Sequence, residues 1–399
     1  MVNTAIQTYH NPTALHLGKG ANALIGEKIK AKGVDNVVML IGGGSVFKNG
    51  VYTTVTQSLK ENGIKFHLVS GVRANPEFGK VCQAITEAKE HGCNGVLAVG
   101  GGSVLDSCKA VAAGMCLDKA EDVWQCYEFK HIVTEALPLF CVLTISATGS
   151  EVNGGTVLQR DDLRKKFSFK SPHLYPVCSC LDPEVQAGLP WYQTTNGLVD
   201  AITHTMEFLM TCSDPKEYEA GVNMGVGIIR TVLTCGDTLQ RDEKDYAARA
   251  NFMWAASCAL SGIAAIRTGG LGDWAVHSLE HTLSAVHPTV SHGAGLGVLM
   301  PSYIQHHAQK GDRTALWERL AKDLFGGETW QDLVAGLKDM LKRWGHPTTL
   351  SALLDREIVE ADIAQLTETF MMRPFSGYRE DKVLPKDEAE AIYRLCCKE

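Results

Sequence analysis

The first half of the chain alternates short, continuously apolar runs with stretches of helical period. NVVMLI at 36–41, the run at 65–70 and GVLAV at 95–99 read as strands, and the segments at 51–62, 77–91 and 104–113 read as helices. Strands apolar on successive residues have both faces buried, which is the mark of a parallel sheet with helices on either side. From about Leu189 the strand-like runs stop, and helical patterns fill the chain, as at 218–233, 246–260 and 317–324. The pattern predicts an α/β N-terminal domain with a Rossmann-like, doubly wound parallel sheet over 1–187, followed by an all-α domain over 188–399. The apolar run at 250–266 carries Asn251, Ser257, Ser261 and Gly262, so it reads as a buried helix and not a membrane span.

Two strand ends carry glycine clusters. Gly42, Gly43, Gly44 and Ser45 follow the first strand, and Gly100, Gly101, Gly102 and Ser103 join the third to a helix. Glycines let a ligand approach the backbone, and the exposed N–H groups and positive end of a helix favour a phosphate. A plain tight turn would use the same residues. Asp106 and Lys109, one and two turns along, are either ligand partners or surface residues. Further on, LPLFCVLTISATGSEVN runs a strand into a loop bearing Thr144, Ser146, Thr148 and Ser150. An open α/β sheet binds ligands at such carboxyl ends. The basic run Arg164-Lys165-Lys166 either meets a phosphate or forms a solvated hairpin tip.

The helical half holds the densest chemistry. His277 and His281 stand four apart, on one helix face, and His287 and His292 follow closely. A single histidine is usually structural, but Asp200 and His204 form a second pair with the same spacing, inside the apolar stretch NGLVDAITHTMEFLM. A carboxylate is rarely buried in such surroundings without a counter-charge. One carboxylate with two or three imidazoles suits Zn²⁺ or Fe²⁺ and leaves a coordination position for a substrate oxygen.

Composition narrows the function. A chain of 399 residues has room for two cores, and 45% hydrophobic with 21% charged residues is ordinary for a globular protein. A net charge of −7 argues against nucleic-acid or anionic-membrane partners. The 13 cysteines show no CxxC spacing, and the N-terminus lacks the basic start and apolar run of a signal peptide, so a cytoplasmic protein with reduced thiols is expected.

Together, GGGSVLDSCKA at 100–110, ATGSEVN at 147–153, LDP at 181–183, NGLVDAITHTME at 196–207, HSLEHTLSA at 277–285 and HGAGL at 292–296 resemble the metal-dependent ("iron-containing") alcohol dehydrogenases. Within them the chain is most similar to the NADPH-dependent butanol dehydrogenase and aldehyde reductase branch, along nearly its whole length. The resemblance implies that Asp200, His204, His277 and His292 hold the metal, while His281 lies near the reacting centre without being a ligand. His281 and His292 are one residue further apart than in the usual family pattern. Gly293, Gly295 and Pro301 continue that pattern after His292, which leaves His287 to border the substrate. For the cofactor, the resemblance implies Gly100, Gly101, Gly102 and Ser103 at the phosphates, with Asp106 following. It also implies Thr144, Thr148 and Asn153 on the hydroxyl-rich loop, Lys166 nearby, and Asn75 beside the adenosine part. Gly43, Gly44 and Ser45 stand where an NAD-selecting enzyme usually places an acid that binds the ribose 2′-hydroxyl, and in the resembled branch this loop accompanies NADP(H). A homodimer acting on short- to medium-chain aldehydes or primary alcohols is expected from the same resemblance. A lyase of the related dehydroquinate synthase type would instead need a basic cluster for an acidic substrate, whereas the residues around Asp200 and His277 are mainly apolar.

Overall fold

Alternate residues of the apolar runs at 36–41 and 95–99 go to opposite faces of one sheet, which is why these two are apolar along most of their length, while the run at 65–69 is partly exposed. In β2 (Asn36–Ile41), Val38 and Leu40 join one core, and Val37, Met39 and Ile41 join the other. Val96 and Ala98 of β4 (Gly95–Gly100) divide from Leu97 and Val99 in the same way. The structure is a computed structural model and describes residues 6–266, 268, 272–373, 375–378 and 383–398. Part of the N-terminal leader reading falls on residues 1–5, outside the described residues.

The sheet also contains β1 (Ala14–Leu17), β3 (Lys65–Val69), β5 (Leu139–Leu143) and β8 (Cys178–Leu181), in the order β1-β8-β5-β4-β2-β3 with every pairing parallel. Helices α1 (Ile25–Lys30) and α2 (Val51–Glu61) supply side chains to one core, and α3 (Phe78–Glu90) and α4 (Gly102–Gly114) to the other. The chain turns from β2 outward to β3 and then back to β4, so the strand order reverses between β2 and β4. Both glycine clusters lie at the carboxyl ends of these two strands, the place where doubly wound sheets bind ligands. Beyond β5, the strands β6 (Gly155–Arg160) and β7 (Lys165–Lys170) form an antiparallel hairpin.

The second unit is helical among its described residues. Its principal helices are α5 (Trp191–Leu209), α6 (Glu219–Arg241), α8 (Ala275–Val286), α9 (His292–Gln309), α10 (Thr314–Phe325), α11 (Trp330–Arg343), α12 (Glu360–Met371) and α13 (Lys386–Leu395). Almost every residue of α9 from Gly293 to Ala308 is buried, and it packs against α5, α8, α11 and α13. A helix apolar on all sides belongs at the centre of a bundle. No helix among the described residues is long and apolar enough to cross a membrane. The run at 250–266 is helical to Leu260, within α7 (Tyr246–Leu260), and turns after Ser261. By its packing, the segment 241–257 belongs to the α/β unit with 10–190, while 6–9, 191–240 and the described residues from 258 onward form the helical unit. Met253 enters the α/β core, and Ser257 donates to the buried carboxylate of Glu151.

Candidate functional site

In the α/β unit, α4 begins at Gly102 after the extended Gly101, and no side chain caps its first amides. A 13-residue helix with open N-terminal N–H groups is a ready anion site. A Cβ on Gly102 would lie 2.4 Å from the Thr148 side chain, so glycine is what lets the 144–150 loop come down over the helix start. Thr144 is buried and its amide donates to the Gly100 carbonyl at 3.0 Å. Gly43 and Ser45 are exposed, and Lys48 at the end of the following helical turn is exposed as well.

The remaining predicted cofactor residues divide into two kinds. Lys166 is buried within β7, not at the hairpin tip, and its ammonium donates to Asn75 Oδ1 at 3.0 Å, so these two residues, 91 apart in sequence, meet. Asp106 and Asn153 do structural work. Asp106 accepts from Ser150 Oγ at 2.7 Å and from the Val157 amide at 3.0 Å. Lys109 donates to Ser150 Oγ, to Asn153 Oδ1 and to the Gly155 carbonyl, and Asn153 itself donates to the Gly149 carbonyl. These bonds fasten α4 to the loop and hairpin. Burial brings the Lys109 ammonium down to about 8 although Asp106 and Glu151 oppose the change.

In the helical unit, α5 carries Asp200, His204 and Glu207 one turn apart, α8 carries His277, Glu280 and His281, and His292 is the first residue of α9. Asp200, His204 and His277 are all buried. One oxygen, Asp200 Oδ1, stands 3.5 Å from His204 Nδ1, 3.5 Å from His277 Nε2 and 3.7 Å from His292 Nε2. Asp200 Oδ1, His204 Nδ1 and His277 Nε2 have no hydrogen-bond partner. Buried polar atoms without partners cost about 1–3 kcal/mol each, so three of them facing one another need a common partner. Ligand atoms around a tetrahedral Zn²⁺ or similar ion, bonded at about 2.0–2.2 Å, are about 3.3–3.6 Å apart. The observed separations and the N/O donor set therefore fit a divalent cation.

The electrostatics agree. Burial opposes ionisation of Asp200, but His204, His277 and His292 hold its carboxyl below the usual carboxylate range. Burial pushes His204 down to about 3, leaving its lone pair available at neutral pH. Burial also opposes charge on His277, yet Glu207 and Asp200 outweigh it and raise the group to about 10, so without a cation a proton occupies this cage. A close approach of helices brings these side chains together: a Cβ on Gly293 would lie 2.2 Å from the Asn196 carbonyl oxygen, so α9 meets α5 backbone to backbone beside His292.

His281 is buried, its ring 5.4 Å from that of His292 and 6.2 Å from that of His277. His287 ends α8 and sits in the field of Arg356 and Asp362, whereas His292 turns its Nε2 toward Asp200. Trp274, ahead of α8, meets the rings of His204 and His277 edge-on at 6.1 and 5.7 Å. Glu207 and Glu280 escaped the sequence reading, although both are fully buried against this cluster. The available signal was an acid three residues beyond a histidine of the cluster on an apolar helix, in HTMEFLM and HSLEHTL.

A nucleotide-type crevice on a parallel sheet, joined in one chain to a helical unit with an Asp/His metal cage, matches a known class throughout. Residues 12–183 fit the family described as iron-containing alcohol dehydrogenase, and 194–395 fit the Fe-containing alcohol dehydrogenase family, C-terminal. The chain belongs to the iron-containing alcohol dehydrogenase family. Within it, the chain falls among the butanol dehydrogenases and aldehyde reductases. It is 32% identical over 392 residues to the probable NADH-dependent butanol dehydrogenase 1 of Bacillus subtilis, covering 97% of this chain and 98% of the relative. It is 34% identical over 366 residues to the NADPH-dependent aldehyde reductase YqhD of Escherichia coli, covering 90% and 92%. The crystal structure of NADH-dependent butanol dehydrogenase A from Thermotoga maritima superposes with a TM-score of 0.93 at 38% identity, over 100% of both chains.

Proposed function

We propose that this chain is a metal-dependent, NADP(H)-linked alcohol dehydrogenase and aldehyde reductase, interconverting short- to medium-chain aldehydes and primary alcohols of the butyraldehyde and butanol type. The observation that carries the reading is the convergence of His204 Nδ1, His277 Nε2 and His292 Nε2 on Asp200 Oδ1 at 3.5–3.7 Å. In this reading a divalent ion, Fe²⁺ or Zn²⁺, supplies a Lewis acid that polarises the substrate oxygen, and the nicotinamide supplies or accepts the hydride. Asp200, His204, His277 and His292 hold the ion, and Asp200 is the sole charged ligand of the four, which leaves net positive charge for the substrate. Gly100–Ser103 and the open start of α4 bind the cofactor's phosphates, Thr144 and Thr148 approach it from the loop, and Asn75 with Lys166 lies beside its adenosine part. His281 moves the proton between the substrate oxygen and solvent, and His287 borders the substrate.

The preference for NADP(H) is argued from residues 42–48. No acid follows β2, so nothing there repels a 2′-phosphate, and Lys48 is exposed close by. The relatives' names include both NADH and NADPH, so a direct comparison decides: kcat/KM at least tenfold higher for NADPH than for NADH is expected, and equality or the reverse overturns the preference. A homodimer in the cytoplasm, with neither nucleic acid nor membrane as partner, is inferred from the family and composition, and sedimentation tests the dimer.

The reaction is tested by NADPH oxidation with butyraldehyde, using protein as isolated, stripped of metal, and refilled with Zn²⁺ or Fe²⁺ separately. Activity that disappears on stripping and returns with one ion supports the whole reading. If no aldehyde in a short series oxidises NADPH while metal remains bound, the dehydrogenase reading fails. Replacing His281 with Ala should lower turnover with metal content unchanged, and loss of metal would make it a ligand instead.

A further inference from the structure

We propose that Glu207 and Glu280 are positioning residues of the metal centre, each fixing the ring orientation of one histidine ligand and strengthening its hold on the ion. The inference rests on the metal reading above and assigns roles to residues outside the proposed ligand set.

Each carboxylate is completely buried, and each engages the Nδ1 of one histidine: Glu207 that of His277, and Glu280 that of His292. A neutral imidazole has one donor nitrogen and one acceptor nitrogen. With Nδ1–H donating to a carboxylate, the lone pair is on Nε2, and both Nε2 atoms point to Asp200 Oδ1, at 3.5 and 3.7 Å. The same device therefore occurs twice, from different helices. Glu207 on α5 reaches to His277 on α8, and Glu280 on α8 reaches to His292 on α9.

Each carboxylate is itself held in place. The second oxygen of Glu207 accepts the amides of Val276 and His277 at 2.9 and 3.1 Å, in the first turn of α8. Glu280 passes over Gly295, where a Cβ would lie 2.9 Å from its Cγ, so the glycine of the HGAG stretch makes room for it. The charges point the same way. Asp200, Glu207 and Glu280 are three buried carboxyl groups, and the buried Arg373 lies in the field of Glu280. Carboxylates buried this close to one another favour a cation among them. Carboxylates behind metal-ligating histidines set tautomer and ligand basicity, and their loss typically lowers metal affinity tenfold to a hundredfold.

The test is a Zn²⁺ competition titration against a chromophoric chelator, on the full-length protein and on Glu207→Gln and Glu280→Gln. Glutamine keeps the volume and removes the charge. The expected result is a Kd for Zn²⁺ raised about tenfold to a hundredfold in each variant. The visible bands of the Co²⁺-loaded form should also shift at unchanged one-to-one stoichiometry. Metal-free Tm is measured for each variant alongside, to separate a loss of fold stability from a loss of metal affinity. A variant that folds and binds Zn²⁺ as tightly as the parent overturns the proposal, even if its metal-free Tm has fallen, since that is a structural role alone. Should Glu207→Gln fail to fold for want of the α8 amide bonds, Glu280→Gln decides. A parent protein that binds no Zn²⁺, Fe²⁺ or Co²⁺ defeats the metal reading itself, an outcome distinct from unchanged affinity in the variants.

Discussion

Asp200 offers one oxygen to three imidazole nitrogens, and replacing that oxygen tests the cage most directly. Asp200→Asn removes the only charged member of the proposed ligand set. Metal content measured after dialysis should fall by at least tenfold and aldehyde reduction should fall with it, whereas full metal content would remove Asp200 from the ligands. A second residue makes a prediction about pH. His346 is buried, stacks on Tyr192 at 5.9 Å, and has no hydrogen-bond partner at either ring nitrogen. Burial lowers it from 6.5 to about 4. The unfolded chain therefore binds the extra proton between these values, so the neutral ring's contribution is complete above the unfolded pKa and is lost as pH falls from 6.5 toward 4. The loss amounts to about 3 kcal/mol at most. His346→Leu should flatten this part of the Tm-against-pH curve, and an unchanged slope would refute the assignment. At this scale the sequence displayed the histidine and aspartate spacings, because i, i+4 pairs on apolar helices are conspicuous. It did not display Glu207 or Glu280. An isolated glutamate on a helix ordinarily faces water, and only tertiary packing shows that these two face a ring nitrogen.

Elements buried on both faces were the most legible, and β3 was read as well although Lys65 and Phe66 are exposed. β2, β4 and β5 could be recognised from sequence because parallel packing makes every position apolar, and the helices between them kept their period. β1 and β8 are four residues each, and β1 is partly exposed at the sheet edge, so neither leaves a pattern long enough to find. The hairpin of β6 and β7 hid the environment of Lys166. From sequence, a basic triplet beside a turn suggests solvent, and alternation puts Lys166 on the face of the exposed Ser168 and Lys170, yet Lys166 is buried where it meets Asn75, a contact from a distant loop that the strand pattern does not carry. The start of α4 allows a prediction at this scale. Gly102→Ala sets a Cβ 2.4 Å from Thr148 and must push the loop off the helix N-terminus. KM for the dinucleotide should rise about tenfold, a loss of about 1.4 kcal/mol in binding, with metal content unaltered. Unchanged KM would place the phosphates elsewhere.

Across the whole molecule the two sets of site residues lie in different units, and their ligands should protect different amides. Added Zn²⁺ should slow hydrogen exchange in α5, α8 and α9, and added NADPH should slow it at the start of α4 and in the 144–150 loop. Protection by Zn²⁺ confined to the α/β unit would contradict the assignment of the metal cage.

Helix α7 has a consequence for how such enzymes can be recombined. It is encoded in the midst of the helical sequence, yet Met253 and Ser257 complete the core and a buried carboxylate of the sheet unit. A hybrid gene spliced once, near the codon for Pro190, would join the sheet of one parent to the other parent's α7. Such chimeras must inherit residues 241–257 together with 10–190, so shuffling along these boundaries needs four cuts where the linear order suggests one.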